Sequence, residues 1–159
     1  MNDPLGAAAL VAAIVSTGLL AGVFQLYAFA IMPGLRRTDD GTFVVAFAAV
    51  DRAIVNPWFL LVIFFGAPVL TAIALVTGWG SASTAWAAGA LAATVVCVVI
   101  TVAVHLPSNN ALKAAAGAGT VDATGIRGAF REARWAAWNV VRAVLSTAAT
   151  ISLGVGLAQ

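Results

Sequence analysis

The chain has 159 residues, 62% of them hydrophobic and only 9% charged. Soluble domains carry about 25% charged residues, so this composition excludes a water-borne enzyme and a disordered segment alike, and the mean hydropathy of +1.03 agrees. A net charge of +2 is too small for a nucleic-acid footprint. One cysteine, Cys97, and one histidine, His105, exclude an internal disulfide and a Cys- or His-rich metal site within one chain.

A helix needs about 20 apolar residues to cross a bilayer, and four stretches qualify. The first, residues 5–33, is interrupted by Ser16, Thr17, Gln25 and glycines and is read as closing at Pro33-Gly34. It has no base ahead of it and exceeds the roughly 7–15 residues of a signal-peptide core, so it is expected to remain as a membrane helix. Residues 34–42 form a loop with Arg36 and Arg37. The run FVVAFAAVDRAIVN, residues 43–56, reads as a helix continuing into the second span, 57–77, with Pro57 marking a kink. The third span, 85–106, is read as stopping at Pro107. Residues 107–134 form the longest connection, and its glycine- and alanine-rich part, 114–125, is the segment expected to move most. Ile126 to Trp138 reads as one amphipathic helix leading into the fourth span, 137–157.

The N-terminus, the loop 78–84 and the C-terminus hold no Lys or Arg, so all eight bases fall on one side of the bilayer. Basic loops face the cytoplasm. The expected architecture is therefore all-α: a single domain, 1–159, forming a transmembrane four-helix bundle in the cell membrane. Both termini would be extracytoplasmic and loops 34–42 and 107–134 cytoplasmic. The halves echo each other, each with a span, a proline, a polar loop and a returning helix.

Groups able to do chemistry gather at one depth. Counting 1.5 Å per residue back from Gln159 places Arg142 about one turn inside the hydrocarbon. His105, Asn109, Asp51 and Asn56 lie near the same level, which predicts a polar pocket at the cytoplasmic end. Arg131, Trp135, Asn139 and Arg142 recur at i, i+4, i+8 and i+11 and are expected on one helical face. A buried arginine needs a partner, and Asp51 is the expected carboxylate. Plainer readings exist: Trp135 and Trp138 as interfacial anchors, Arg142 snorkelling to the interface, His105 and Asn109 as helix-end residues. His105 and Cys97 stand eight residues apart, about 12 Å along a helix, so they do not share a metal.

Two stretches carry a resemblance. TVAVHLPSNNAL, residues 101–112, holds P-x-N-x-x-L, and REARWAAWNVVRAV, residues 131–144, holds W-x-x-W-N-x-x-R. Together they resemble the anthrone oxygenase-like family of small four-helix membrane proteins. Weaker similarity at MPGL and Asn56-Pro57 extends it over almost the whole chain. The resemblance implies oxidation of an anthrone, a polycyclic phenolic compound, by O2 as co-substrate.

Such chemistry needs a base, donors for an oxyanion and flat walls, and preorganised donors are usually the largest catalytic contribution. Arg142 and Asn139 are assigned to the oxyanion, and His105 is the candidate base because its reference pKa lies near neutrality. Asp51 is the alternative base or the partner of Arg142. Trp135 and Trp138 would stack on a hydrophobic aromatic small molecule, with Asn109 and Asn56 positioning it. No metal and no other cofactor is expected. A different class of function is a non-catalytic accessory or assembly subunit that binds a partner or lipid through the same residues. Small-residue faces would serve either close helix packing or a homo-oligomer. A transporter is disfavoured because no acidic residue lies near the middle of a span.

Overall fold

The computed structural model describes residues 4–118 and 122–159, and every described element is helical. Four helices are long and apolar enough to cross a membrane: α1 (Pro4–Arg36), α3 (Phe59–Thr77), α4 (Thr84–Gly117) and α6 (Glu132–Leu157). Two shorter ones, α2 (Asp40–Ile54) and α5 (Ala123–Phe130), cap one end. Residues 119–121, inside the connection expected to be mobile, lie outside the described residues. α1 and α4 both pack against α6, and α3 packs between α1 and α4. Large apolar side chains such as Val15, Phe29, Leu61, Val99 and Ile151 are exposed around the bundle. Water would not tolerate such a belt, and lipid requires it. The chain is a multi-pass membrane protein.

At the end away from α2 and α5, small residues set the spacing. Ala9, Leu10, Ala13, Ala74, Ala87, Ala90, Ala149 and Leu153 form one buried cluster. Gly156 fits closely there: a Cβ on it would stand 3.1 Å from Trp86 Cβ, tighter than ordinary van der Waals contact. Small residues of this kind let membrane helices approach closely.

At the other end the core is aromatic. Phe43, Phe47, Phe130 and Trp135 stack edge to face, with Phe47–Phe130 centroids 4.6 Å apart. Arg127 ties this cap down. Its guanidinium reaches Asp40 at 3.0 Å, Glu132 at 3.1 Å and the carbonyls of Thr38 and Arg36, and lies 4.3 Å over the Phe43 ring.

The structure departs from the sequence reading, or adds to it, at four places. First, α2 does not run into α3: the chain breaks at Val55, and Asn56 caps the next helix by accepting from the Phe59 amide at 2.9 Å. The residue before a proline disfavours helical backbone, so Asn56-Pro57 starts a helix rather than kinking one. Second, Pro33 and Pro107 do not end their helices, which continue to Arg36 and Gly117. Each follows a π-wound turn, Tyr27–Ile31 and Thr101–His105, closed by i→i−5 bonds from Met32 to Tyr27 and from Leu106 to Thr101. The wider turn moves the carbonyl with which the proline ring would clash. Third, Phe59–Phe64 of α3 is π-wound too, and Ser16 of α1 donates to its Val62 carbonyl at 2.7 Å. Fourth, the amphipathic helix before the last span is broken at Arg131, whose backbone is left-handed (φ 54°, ψ 57°). Arg131 therefore leaves the face shared by Trp135, Asn139 and Arg142, all of which are buried.

Candidate active site

All three π turns lie beside one cavity of about 220 Å³ among α1, α2, α3, α4 and α6. Such turns add one residue to a helical turn and are frequent at functional sites. Here Tyr27, Phe59, Phe64, Thr101 and His105, drawn from them, all line the space. α3 and α4 pack over Gly66–Thr77 and Thr84–Ile100 and part toward their π turns. Phe65, Val102 and Leu106 line the cavity and are also exposed. The cavity thus reaches the surface of the bundle beside α3 and α4. A larger hollow of about 580 Å³ lies on the surface of the cap, but its carboxylates, Asp40 and Glu132, are committed to Arg127.

Arg142 enters the cavity from α6 and is 5% exposed. Its Nη1 donates to Thr101 Oγ1 at 2.9 Å and its Nη2 to Asn139 Oδ1 at 2.8 Å. Asn139 in turn donates to the Phe24 carbonyl at 2.9 Å, which fixes its amide orientation because that carbonyl only accepts. The guanidinium lies 4.2 Å over the Phe24 ring, and Nε has no hydrogen-bond partner among the described residues. No described carboxylate forms a salt bridge with Arg142; Asp51, the expected partner, pairs instead with Lys113 at 2.7 Å. The reason is that α4 continues past Pro107. Lys113 then falls four residues beyond Asn109, on the same helical face.

A second network crosses the cavity wall. Asn109 Nδ2 donates to Asp51 Oδ1 at 2.6 Å, and Trp135 Nε1 donates to Asn109 Oδ1 at 2.8 Å. The indole can only donate and the carboxylate can only accept, so the amide has one orientation. His105 is 1% exposed, its ring edge-on to Trp135 with centroids 4.8 Å apart. His105 Nε2 stands 3.3 Å from the Trp135 carbonyl. A carbonyl only accepts, so in this contact Nε2 is the donor. Nδ1 has no partner among the described residues.

Of the residues singled out in the sequence, His105, Arg142, Asp51, Asn109 and Trp135 line this cavity. Asn139 stands behind it, holding Arg142. Asn56 and Trp138 do not reach it. Asn56 is spent on its helix cap, and Trp138 is exposed, displaced around α6 from the buried face. Tyr27 stands at the depth the sequence marks as polar but was given no role, and Thr101, Phe24 and Phe64 were missed. Their signal was weak: Phe24 and Phe64 are aromatics in apolar runs, and the π turns that hold Thr101 and Phe64 leave no periodic trace.

The fold and cavity define a class: a helical membrane protein with a small, aromatic-walled internal site holding a cation that no described carboxylate pairs. Residues 58–152, from α3 through most of α6, match the anthrone oxygenase family. The match covers more than half of the chain, and the protein belongs to that family. It stops short of the α1 and α2 residues that complete the cavity, Tyr27 and Asp51 among them. No curated protein and no solved structure matches the chain.

Proposed function

We propose that the protein is a membrane-embedded oxygenase that oxidises an anthrone-type or other polycyclic phenolic substrate with O2, using no resident cofactor. The observation that carries this reading is Arg142, a buried guanidinium facing an aromatic-walled cavity without a carboxylate partner. Burying an isolated charge is costly, and a ligand oxyanion would offset that cost. The cavity lies below the range of about 300–1,000 Å³ usual for drug-sized ligands, which favours a compact, flat ring system. Its opening beside α3 and α4 suits a substrate dissolved in the bilayer. On the reading that basic loops are cytoplasmic, that leaflet is the inner one of the cell membrane, and both termini lie outside.

The reaction balances as anthrone plus O2 giving anthraquinone plus water. His105, the candidate base, removes one proton from the CH2 between the rings, and the electron pair passes to the carbonyl oxygen, opposite Arg142. The resulting anion gives one electron to O2. The carbon radical and superoxide combine to form the C–O bond, and the peroxide takes up a proton. Loss of the second C–H proton breaks the O–O bond, expels water and leaves the new carbonyl. Asp51 is the weaker candidate base, since Lys113 and Asn109 already occupy its oxygens.

The test is oxygen uptake by the purified protein with dithranol, with and without chelator, against Arg142→Gln and a protein-free control. Chelator-resistant uptake lost in the variant is expected. Sensitivity to chelator would overturn the cofactor-independent reading, and uptake no faster than the control would overturn the assigned reaction. A second reading rests on the bonds joining Arg142 and Asn139 to Thr101 and Phe24, which tie α6 to α4 and α1. In a non-catalytic accessory subunit those bonds would be structural. Stoichiometric co-purification of another protein, with no turnover, would favour it.

A further inference from the structure

Three side chains around the cavity keep a polar atom without a hydrogen-bond partner among the described residues, and the mechanism above uses two of these side chains, Arg142 and His105. The third is Tyr27. It lies at the head of the α1 π turn, is 7% exposed and lines the cavity. Its hydroxyl makes no hydrogen bond to a described residue and, unlike Arg142 Nε and His105 Nδ1, is not sealed in the core. Trp135 places the three groups together. Tyr27 lies 5.6 Å from its ring and His105 4.8 Å, centroid to centroid, and the Arg142 guanidinium carbon stands 5.8 Å from its centroid.

The charges around this space do not cancel. Asp51 is neutralised by Lys113, whereas Arg142 has only neutral partners, Thr101 and Asn139. The cavity thus presents one cation, one unpaired hydroxyl and one buried imidazole between apolar walls. We propose that Tyr27 is a second ligand-contacting donor of this cavity, and that with Arg142 it selects aromatic phenols and enols in their oxyanion form. Arg142 supplies the charge and Tyr27 donates to the same or the adjacent oxygen. The phenolic proton leaves to solvent on binding, so no oxidant or co-reactant is involved. The proposal draws its substrate class from the oxygenase reading, but binding can be measured without turnover.

The experiment uses the full chain in detergent micelles and 2-hydroxyanthraquinone, a phenol whose ionisation shifts its visible absorption. Anthraquinone, which has no ionisable group, is the reference ligand, followed by quenching of tryptophan fluorescence. Bound probe should ionise at least about one pH unit below free probe in the same micelles, a tenfold change in its ionisation constant. Tyr27→Phe should weaken binding of the anion about tenfold, as expected for a hydrogen bond to a charged group, and leave anthraquinone binding unchanged. Arg142→Lys should keep part of the ionisation shift and Arg142→Gln none. The proposal is overturned if the bound probe ionises at or above the free value, if the probe does not bind, or if Tyr27→Phe weakens both ligands equally. Anion selection with no oxygen uptake would sink the oxygenase reading and keep this one; uptake without anion selection would do the reverse.

Discussion

The two ends of this bundle are built from the same helices and do opposite things. At one end Ala9, Ala13, Ala74, Ala87, Ala90 and Ala149 bring α1, α3, α4 and α6 into close contact. At the other, π turns in α1, α3 and α4 and the rings of Phe24, Phe64 and Trp135 hold the helices around a cavity. In lipid there is little hydrophobic gain from pressing helices together, so packing contacts and hydrogen bonds decide where they touch. The small-residue end supplies those contacts and leaves the other end room for a site. Function and stability should therefore separate along the bundle axis, and the following substitutions would break or sharpen that division.

The largest effect is expected at Arg142. Arg142→Gln should lower turnover with an anthrone by about 10²–10³-fold, the usual consequence of losing a donor to a developing oxyanion. Size exclusion and circular dichroism in detergent would check that the variant still folds. A folded variant with unchanged oxygen uptake would remove Arg142 from the mechanism. Next comes the opposite end. Ala90 is fully buried among Ala- and Leu-lined contacts, so Ala90→Leu should overpack it and cost about 1–3 kcal/mol. Denaturation by a graded fraction of SDS would read this, while KM for the folded fraction stays at the wild-type value. A shift in KM as large as the shift in midpoint would show that the two ends are not independent.

What the sequence disclosed follows the same division. Long apolar runs and the confinement of bases to one end made four spans legible, because length and composition carry that signal. The Trp135–Asn139–Arg142 face was legible because the helix there is regular. The π turns were not, since one extra residue per turn leaves no mark in an apolar run where every position is hydrophobic. Their consequences were hidden with them: Pro33 and Pro107 looked like stops, so Lys113 was placed in a loop and its pairing with Asp51 could not be foreseen. Arg131 adopts a left-handed backbone with neither glycine nor proline to announce it. Asn56-Pro57 was seen, but a cap and a kink share that dipeptide, and only the Phe59 amide bond separates them.

Asn56 tests that last distinction at smaller scale. Its side chain caps α3 and does not face the cavity. Asn56→Ala should lower the denaturation midpoint by an amount equivalent to about 1 kcal/mol, the usual value of a lost N-cap. Turnover and KM should not change. A raised KM at unchanged stability would restore the ligand-contacting role expected from the sequence.

The smallest effect belongs to Asp39, the N-cap of α2. The Thr42 hydroxyl and the Thr42 amide both donate to its carboxylate, at 2.6 and 2.9 Å, and hold its pKa below the ordinary value. A depressed carboxylate stabilises the folded chain above its unfolded pKa, and that contribution is lost as pH falls through the folded value. The α2 cap should therefore loosen only below about pH 4, where an unperturbed Asp begins to protonate. Hydrogen exchange of the Thr42 and Phe43 amides, followed between neutrality and pH 3, would show it. Asp39→Asn should flatten the dependence, because the amide oxygen still accepts from Thr42 but does not titrate. Because Asp39 is solvent-exposed and far along α2 from the Asp51 that lines the cavity, ligand binding should be indifferent to the exchange. If acid loosening at Asp39 also weakened ligand binding, the cap would be a working part of the site rather than a fastening for it.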